Sequence, residues 1–264
     1  MVQYQDHTSS TATHHSRNTI YFIMFRNIFQ SGFISLLSAS GSHPLQLWDV
    51  RLEDDGEIRW IKDDDDTFAR RNESNHVIGP VIEIVCSNLS QNYIICPTKL
   101  DDSSRERPSL GITLSFLYFT LCPEITKQQQ RQQQTNHFSL EVTILDDKKI
   151  TRRFRCSTYQ STTSIKTDLC TFPLRLTRRP QGLKRDELLL PSSERDSYEQ
   201  GECESCWNRV CFPLAEYTQK VYGTILLETK HVQIHATNFQ IKQVFFAEKQ
   251  LSEDELPLEF RLFQ

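Results

Sequence analysis

Between Phe138 and Thr163 the chain reads FSLEVTILDDKKITRRFRCSTYQSTT, and this stretch restricts the fold more than any other. Phe138, Leu140, Val142 and Ile144 alternate with Ser139, Glu141 and Thr143, the period of a strand with one buried face. Asp146, Asp147 and Lys148 supply a polar, turn-forming break. A second alternating run then places Ile150, Phe154 and Cys156 inward and Arg153 and Arg155 outward, with Arg152 interrupting the apolar set. The stretch therefore predicts a hairpin with one apolar and one basic face. The rest of the chain must cover the first and display the second.

Other segments repeat the strand signal. Phe25 to Leu37 alternates loosely, with Phe29, Phe33 and Leu36 or Leu37 as core candidates and Gly32 marking a bend. Leu45, Leu47 and Val50 bracket Trp48 in a short strand. Asp54-Asp55-Gly56 is a hairpin signal before Ile58, Trp60 and Ile61. Strands are expected from Val81, over Tyr93 to Cys96 and over Ile165 to Leu176. Leu110 to Leu121 reads as a buried strand leading into a short helix. Pro213 opens a helix carrying Leu214, Tyr217 and Val221, which Gly223 ends. Thr224 to Leu227, Val232 to Ala236 and Ile241 to Ala247 read as three strands, and Ser252 with Glu255 as a capping box. About ten short strands with one or two short helices predict a mainly β fold, a single antiparallel β-sandwich of jelly-roll-like kind.

Length is compatible with this: 264 residues suffice for one large β domain. Residues 1–23 are rich in Ser, Thr, His and Gln without apolar period and predict a disordered tail. The sandwich domain is expected over 24–264. Polar or low-complexity insertions fall near 63–76, 101–108, 123–137 and 178–206, among them the run KQQQRQQQTN. No secretory signal or membrane-spanning stretch is evident, so the 8 Cys are expected to be reduced thiols in a cytosolic or cytoskeletal compartment.

Motifs for chemistry are scarce. No G-x-S-x-G elbow, P-loop or H-E-x-x-H occurs, and 8 Gly leave little for phosphate-cradling loops. Cys203, Cys206 and Cys211 give three thiols but no fourth ligand at zinc-finger spacing. His231 and His235 would share one face of a strand as the nearest candidates. Cys156 and His235 are the one conceivable nucleophile and base. The reading is a non-enzymatic chain with no cofactor, no metal site and no membrane partner.

Charge carries more content. The net charge of -4 argues against a dedicated nucleic-acid binder. Cations are nevertheless concentrated: Lys148, Lys149, Arg152, Arg153 and Arg155 lie on one hairpin, and Arg175 follows. Most are Arg, whose planar fork matches carboxylates. These six residues are the expected contacts to an acidic protein surface. The alternative is a nucleic-acid or nuclear accessory module using the same face.

Several runs resemble, in order, the cilia- and flagella-associated protein 20 family: FRNIFQSGFISLL, GSHPLQLWD, ILDDKKITRRFR, STYQSTT, CTFPLRL, VYGT, ETKHVQIHA and LSEDELPLEF. The resemblance covers most of Met24 to Leu176 and again Trp207 to Phe263, with the insertions as departures that mark a divergent member. It implies a compact β-sandwich without catalytic residues, built into ciliary and flagellar doublet microtubules. There it would bridge tubulin protofilaments at the inner junction, beside the parkin co-regulated gene product, and support axoneme stability and motility. It also implies possible residence at basal bodies, centrioles and the nucleus.

Overall fold

The computed structural model describes residues 24–25, 28–53, 56–61, 79–99, 107–123, 136–176 and 207–261. The expected tail over 1–23, the insertions near 63–76 and 178–206, and most of those near 101–108 and 123–137 lie outside the described residues. So do Asp54, Asp55, Leu262 and Phe263.

Among the described residues the strands form two sheets. The first holds β1 (Phe33–Ser38), β3 (Glu57–Ile61), β4 (Val81–Val85), β6 (Phe116–Pro123), β11 (Asn208–Pro213) and β13 (Phe239–Ala247). Its order is β11-β6-β13-β4-β3, with β1 also paired to β13. The second holds β2 (Asp49–Arg51), β5 (Tyr93–Cys96), β7 (Phe138–Asp146), β8 (Thr151–Ser157), β9 (Ser164–Ile165), β10 (Leu169–Pro173) and β12 (Leu226–Ala236). Its order is β2-β5-β12-β7-β8-β10-β9. The chain crosses between sheets at most steps from β3 onward, so neighbours in sequence face each other across the core. A helix, α1 (Leu214–Tyr222), sits between β11 and β12. The expected mainly β sandwich is what forms.

The core is the joint product of the two inner faces. Phe119, Ile82, Phe239 and Phe246 from the first sheet meet Leu140, Val142, Phe154, Val232 and Ile234 from the second, all buried. The hairpin alternation holds from Phe138 to Ile144, and Phe154 and Cys156 point inward as expected. Each fully buried apolar side chain of this size contributes roughly 1.5–3 kcal/mol, enough to fix register against a one-residue slip. In β13 a register shift between Ile241 and Gln243 changes the phase of alternation. Ile241, Val244 and Phe246 face the main core. Phe245 and Ala247 turn to the other side, where Tyr118, Leu256 and Phe260 cover them. The C-terminal segment thus seals the outer face of the first sheet. Arg209 fastens it by bonding the Glu253 carboxylate and the Phe260 carbonyl.

That double covering explains one misreading. Leu110 to Leu121 is continuously apolar because both faces are buried, and a run of this kind does not distinguish strand from helix. It forms no helix: Ile112 bridges Thr229 after Gly111 at φ 67°, the chain bends at Ser115, and β6 then runs from Phe116 through Pro123. Other expectations also change. The segment ending at Gly56 closes no hairpin, because β2 and β3 belong to different sheets. The last three strands are two, β12 being one strand with register shifts at Leu226/Glu228 and Thr229/His231. The sheet is not wholly antiparallel, since β10 runs parallel to β8. Phe29 is 90% exposed, because it precedes the bend at Gly32 and never joins β1. Ile150 sits in the turn before β8 and is exposed. Cys96, Cys156, Cys170 and Cys211 are reduced thiols.

Helix α1 follows its signals. Pro213 precedes the first turn, and Gly223 adopts φ 64°, its N–H bonding the Gln219 carbonyl at 3.0 Å. A Cβ at Gly223 would meet nothing within 4 Å. Gly223→Ala is therefore expected to cost about 1 kcal/mol by conformation alone, measurable as a shift in urea midpoint.

Candidate partner-binding face

The outer face of the second sheet is polar; its β12 side is partly covered by the Leu89 loop, whose carbonyl lies 2.9 Å from His235 Nδ1, and by the backbone at Arg107 and Pro108 beside His231. Its centre is set by the β7–β8 register. Turn residues Asp146 to Ile150 bring Glu141 opposite Arg155 and Thr143 opposite Arg153. Both arginines stand on the outer side, 38% and 37% exposed. Arg155 donates from Nε and Nη2 to Glu141 Oε2 at 3.0 and 2.6 Å. Arg153 Nη1 lies 3.7 Å from Glu141 Oε1, and its Nη2 bonds Asp168 Oδ2 at 3.3 Å.

Arg152 goes the other way. Its inward position, between Ile144 and the core, is tolerable only because a carboxylate meets it. Arg152 Nε bonds Asp146 Oδ2 at 3.0 Å, Nη1 bonds the Thr167 carbonyl, and the guanidinium lies 4.6 Å from the Tyr222 ring centroid. Burial pushes the Tyr222 hydroxyl up to about 12, so it stays protonated beside the cation. Lys148 and Lys149 are exposed at the turn, Lys149 at φ 62° with its N–H on the Asp146 carbonyl at 2.9 Å. Arg175 is exposed just past β10, beyond Leu174, whose N–H bonds the Ser157 carbonyl. Of the six expected contact residues, Arg153 and Arg155 stand on the outer face of β8, Lys148, Lys149 and Arg175 are exposed near its two ends, and Arg152 is an internal brace.

Sequence reasoning missed the two carboxylates among these arginines. Glu141 was visible: it is outward in β7, and counting back through the turn puts it across from Arg155. Asp168 was not, because its approach depends on the parallel pairing of β10 with β8.

The chemical alternatives separate in space. Cys156 is buried on the inner side, and burial pushes its thiol up to about 12, whereas His235 lies on the outer side against Tyr93 at 5.1 Å. Base and nucleophile are on opposite faces of one sheet. Cys203 and Cys206 lie outside the described residues. Cys211 is in the first sheet, while His231 and His235 are in the second. No three His, Cys, Asp or Glu residues among those described come together as metal ligands.

Comparison with known proteins agrees with the motif series. The CFA20 domain model matches residues 24–184 and 201–264. Cilia- and flagella-associated protein 20 of Chlamydomonas reinhardtii is 37% identical over 91% of this chain and 97% of its own length. The Paramecium tetraurelia protein of that name is 37% identical, over 91% and 96%. The Caenorhabditis elegans protein is 35% identical, over 91% of both chains. A Clostridium thermocellum xylanase with CBM22 and GH10 modules overlaps at TM-score 0.33 and 9% identity, over 82% of this chain and 29% of that one. It is too distant to bear on the argument. On the extent of these matches, running through both hairpin strands and the C-terminal seal, the chain belongs to the CFA20 domain family of cilia- and flagella-associated protein 20.

Proposed function

We propose that this chain is a non-enzymatic structural component of cilia and flagella, bound to doublet microtubules through the outer face of its second sheet. The reading takes its location from the names of the relatives and its contact surface from one observation. Arg153 and Arg155 stand on the outer face of β8, with exposed Lys148 and Lys149 in the turn before it and exposed Arg175 just past β10, while the outer side of the first sheet is covered by the C-terminal segment. An acidic tubulin surface complements these cations. A place at the inner junction, beside a parkin co-regulated gene product-like protein, is the finer form of the same proposal, with a role in axoneme stability and motility.

The experiment is co-sedimentation with microtubules at moderate ionic strength. Arg153→Glu with Arg155→Glu is expected to lower the bound fraction about tenfold or more, because the double reversal turns attraction into repulsion on the central face. Both side chains are more than a third exposed, so the fold should survive. Unchanged binding by the folded variant would remove this face from the proposal. A tagged copy that resists salt extraction from axonemes would support the ciliary location. The alternative is a nucleic-acid partner on the same face, and direct competition between tubulin and RNA for the chain separates the two.

A further inference from the structure

Glu141 occupies the space between the two outward arginines of β8. Its side chain is 12% exposed, against 38% and 37% for Arg153 and Arg155. The match is incomplete. Arg155 closes on a single oxygen of Glu141, and Arg153 reaches the other only at 3.7 Å, beyond hydrogen-bond range. Asp168, 59% exposed, holds Arg153 from the far side through one bond of 3.3 Å. Each guanidinium can make two parallel bonds with one carboxylate, and neither does so here.

We propose that Glu141 is an internal placeholder: it fills the arginine forks in the free chain and yields them to the carboxylates of a glutamate-rich segment on a partner protein. The inference rests on the outer face being a docking surface, as proposed above, and adds how its affinity is set. The ligand class follows from charge complementarity, because the forks already hold a carboxylate through geometry that a mobile one would improve. Exchange also returns the 12%-exposed Glu141 carboxylate to solvent, where regained hydration offsets part of the lost Arg155 bonds.

The test titrates a labelled oligoglutamate onto the full chain, with oligoglutamine and oligouridine of equal length as controls. Glu141→Gln keeps the shape and removes the competing charge. It is expected to tighten oligoglutamate binding roughly three- to tenfold, with the gain shrinking at about 0.15 M salt and oligoglutamine unaffected. Asp168→Asn should give a smaller gain, about twofold. Folded Glu141→Gln that binds no tighter than the parent chain overturns the proposal. So does an equal gain on oligoglutamine, or a larger gain on oligouridine. If Glu141→Gln fails to fold, the exposed Asp168→Asn carries the test, and no gain there overturns it. A gain on oligoglutamate without one on microtubules keeps the placeholder and removes tubulin as its partner. No gain on either, with parent chain still co-sedimenting, removes the placeholder and leaves the ciliary reading.

Discussion

Asp146→Ala should destabilise the fold by about 3–5 kcal/mol, the range for removing one partner of a buried ion pair. Asp146 is fully buried and the Arg152 side chain is 9% exposed. Burial alone would raise the Asp146 carboxyl. The Ile150 N–H at 2.8 Å and the Arg152 guanidinium at 3.0 Å outweigh it and hold the group below its ordinary value. Removing the carboxylate leaves a guanidinium enclosed by Tyr222 and the Thr167 carbonyl without a counter-charge, and an unsatisfied N–H at the turn. Three elements meet there: the hairpin tip, the end of α1 and the segment before β10. The loss is therefore global, and a large share of the 5–15 kcal/mol typical of a domain. Arg152→Met combined with Asp146→Leu should recover most of it, because no charge is then stranded. Urea unfolding of the three chains checks this. A cost under about 1 kcal/mol for Asp146→Ala would mean that water or relaxation supplies the missing partner. The same brace holds Lys148 and Lys149 in place, so a milder lesion here should also weaken the basic face.

The hairpin was legible because one face of its sheet is wet and the other dry, and alternation records that difference directly. Tyr93 to Cys96 and Val81 to Val85 were legible for another reason: Pro97 and the Gly79-Pro80 pair bound them. Legibility failed where burial is two-sided. The run into β6 carries no period, since the inter-sheet core takes one face and the C-terminal seal the other. It failed again at the register shifts in β12, which join what pattern alone divides. At the candidate face, sequence named the cations but not their state. Strand alternation puts Arg152 inward and Arg153 outward, but the run does not show that a buried Asp146 waits across the turn to meet Arg152.

Lowering the pH from 6.5 to 4 should cost this protein about 3 kcal/mol through His231 alone. The ring Nε2 is buried and meets no hydrogen-bond partner. Desolvation, then Lys230 and Arg107, depress the imidazole from 6.5 to about 4, against small opposing help from the Arg107 and Pro108 backbone. A histidine depressed in the folded state stays neutral there while the unfolded chain takes up a proton. Stability is therefore constant above about 6.5, falls as pH drops through the window, and levels off below about 4. The loss should be about 2 kcal/mol at pH 5. His235, also depressed chiefly by desolvation, adds in the same direction. The carboxylates Asp49, Asp146 and Glu255 are lowered instead, so their contributions vanish only as pH falls below the ordinary values of 3.8 and 4.5. The upper part of the window thus belongs to the histidines. His231→Gln, which cannot charge, should flatten the stability profile between pH 6.5 and 5 even if it costs something at pH 7. A profile as steep in His231→Gln as in the parent chain would show that the ring reaches solvent and titrates normally.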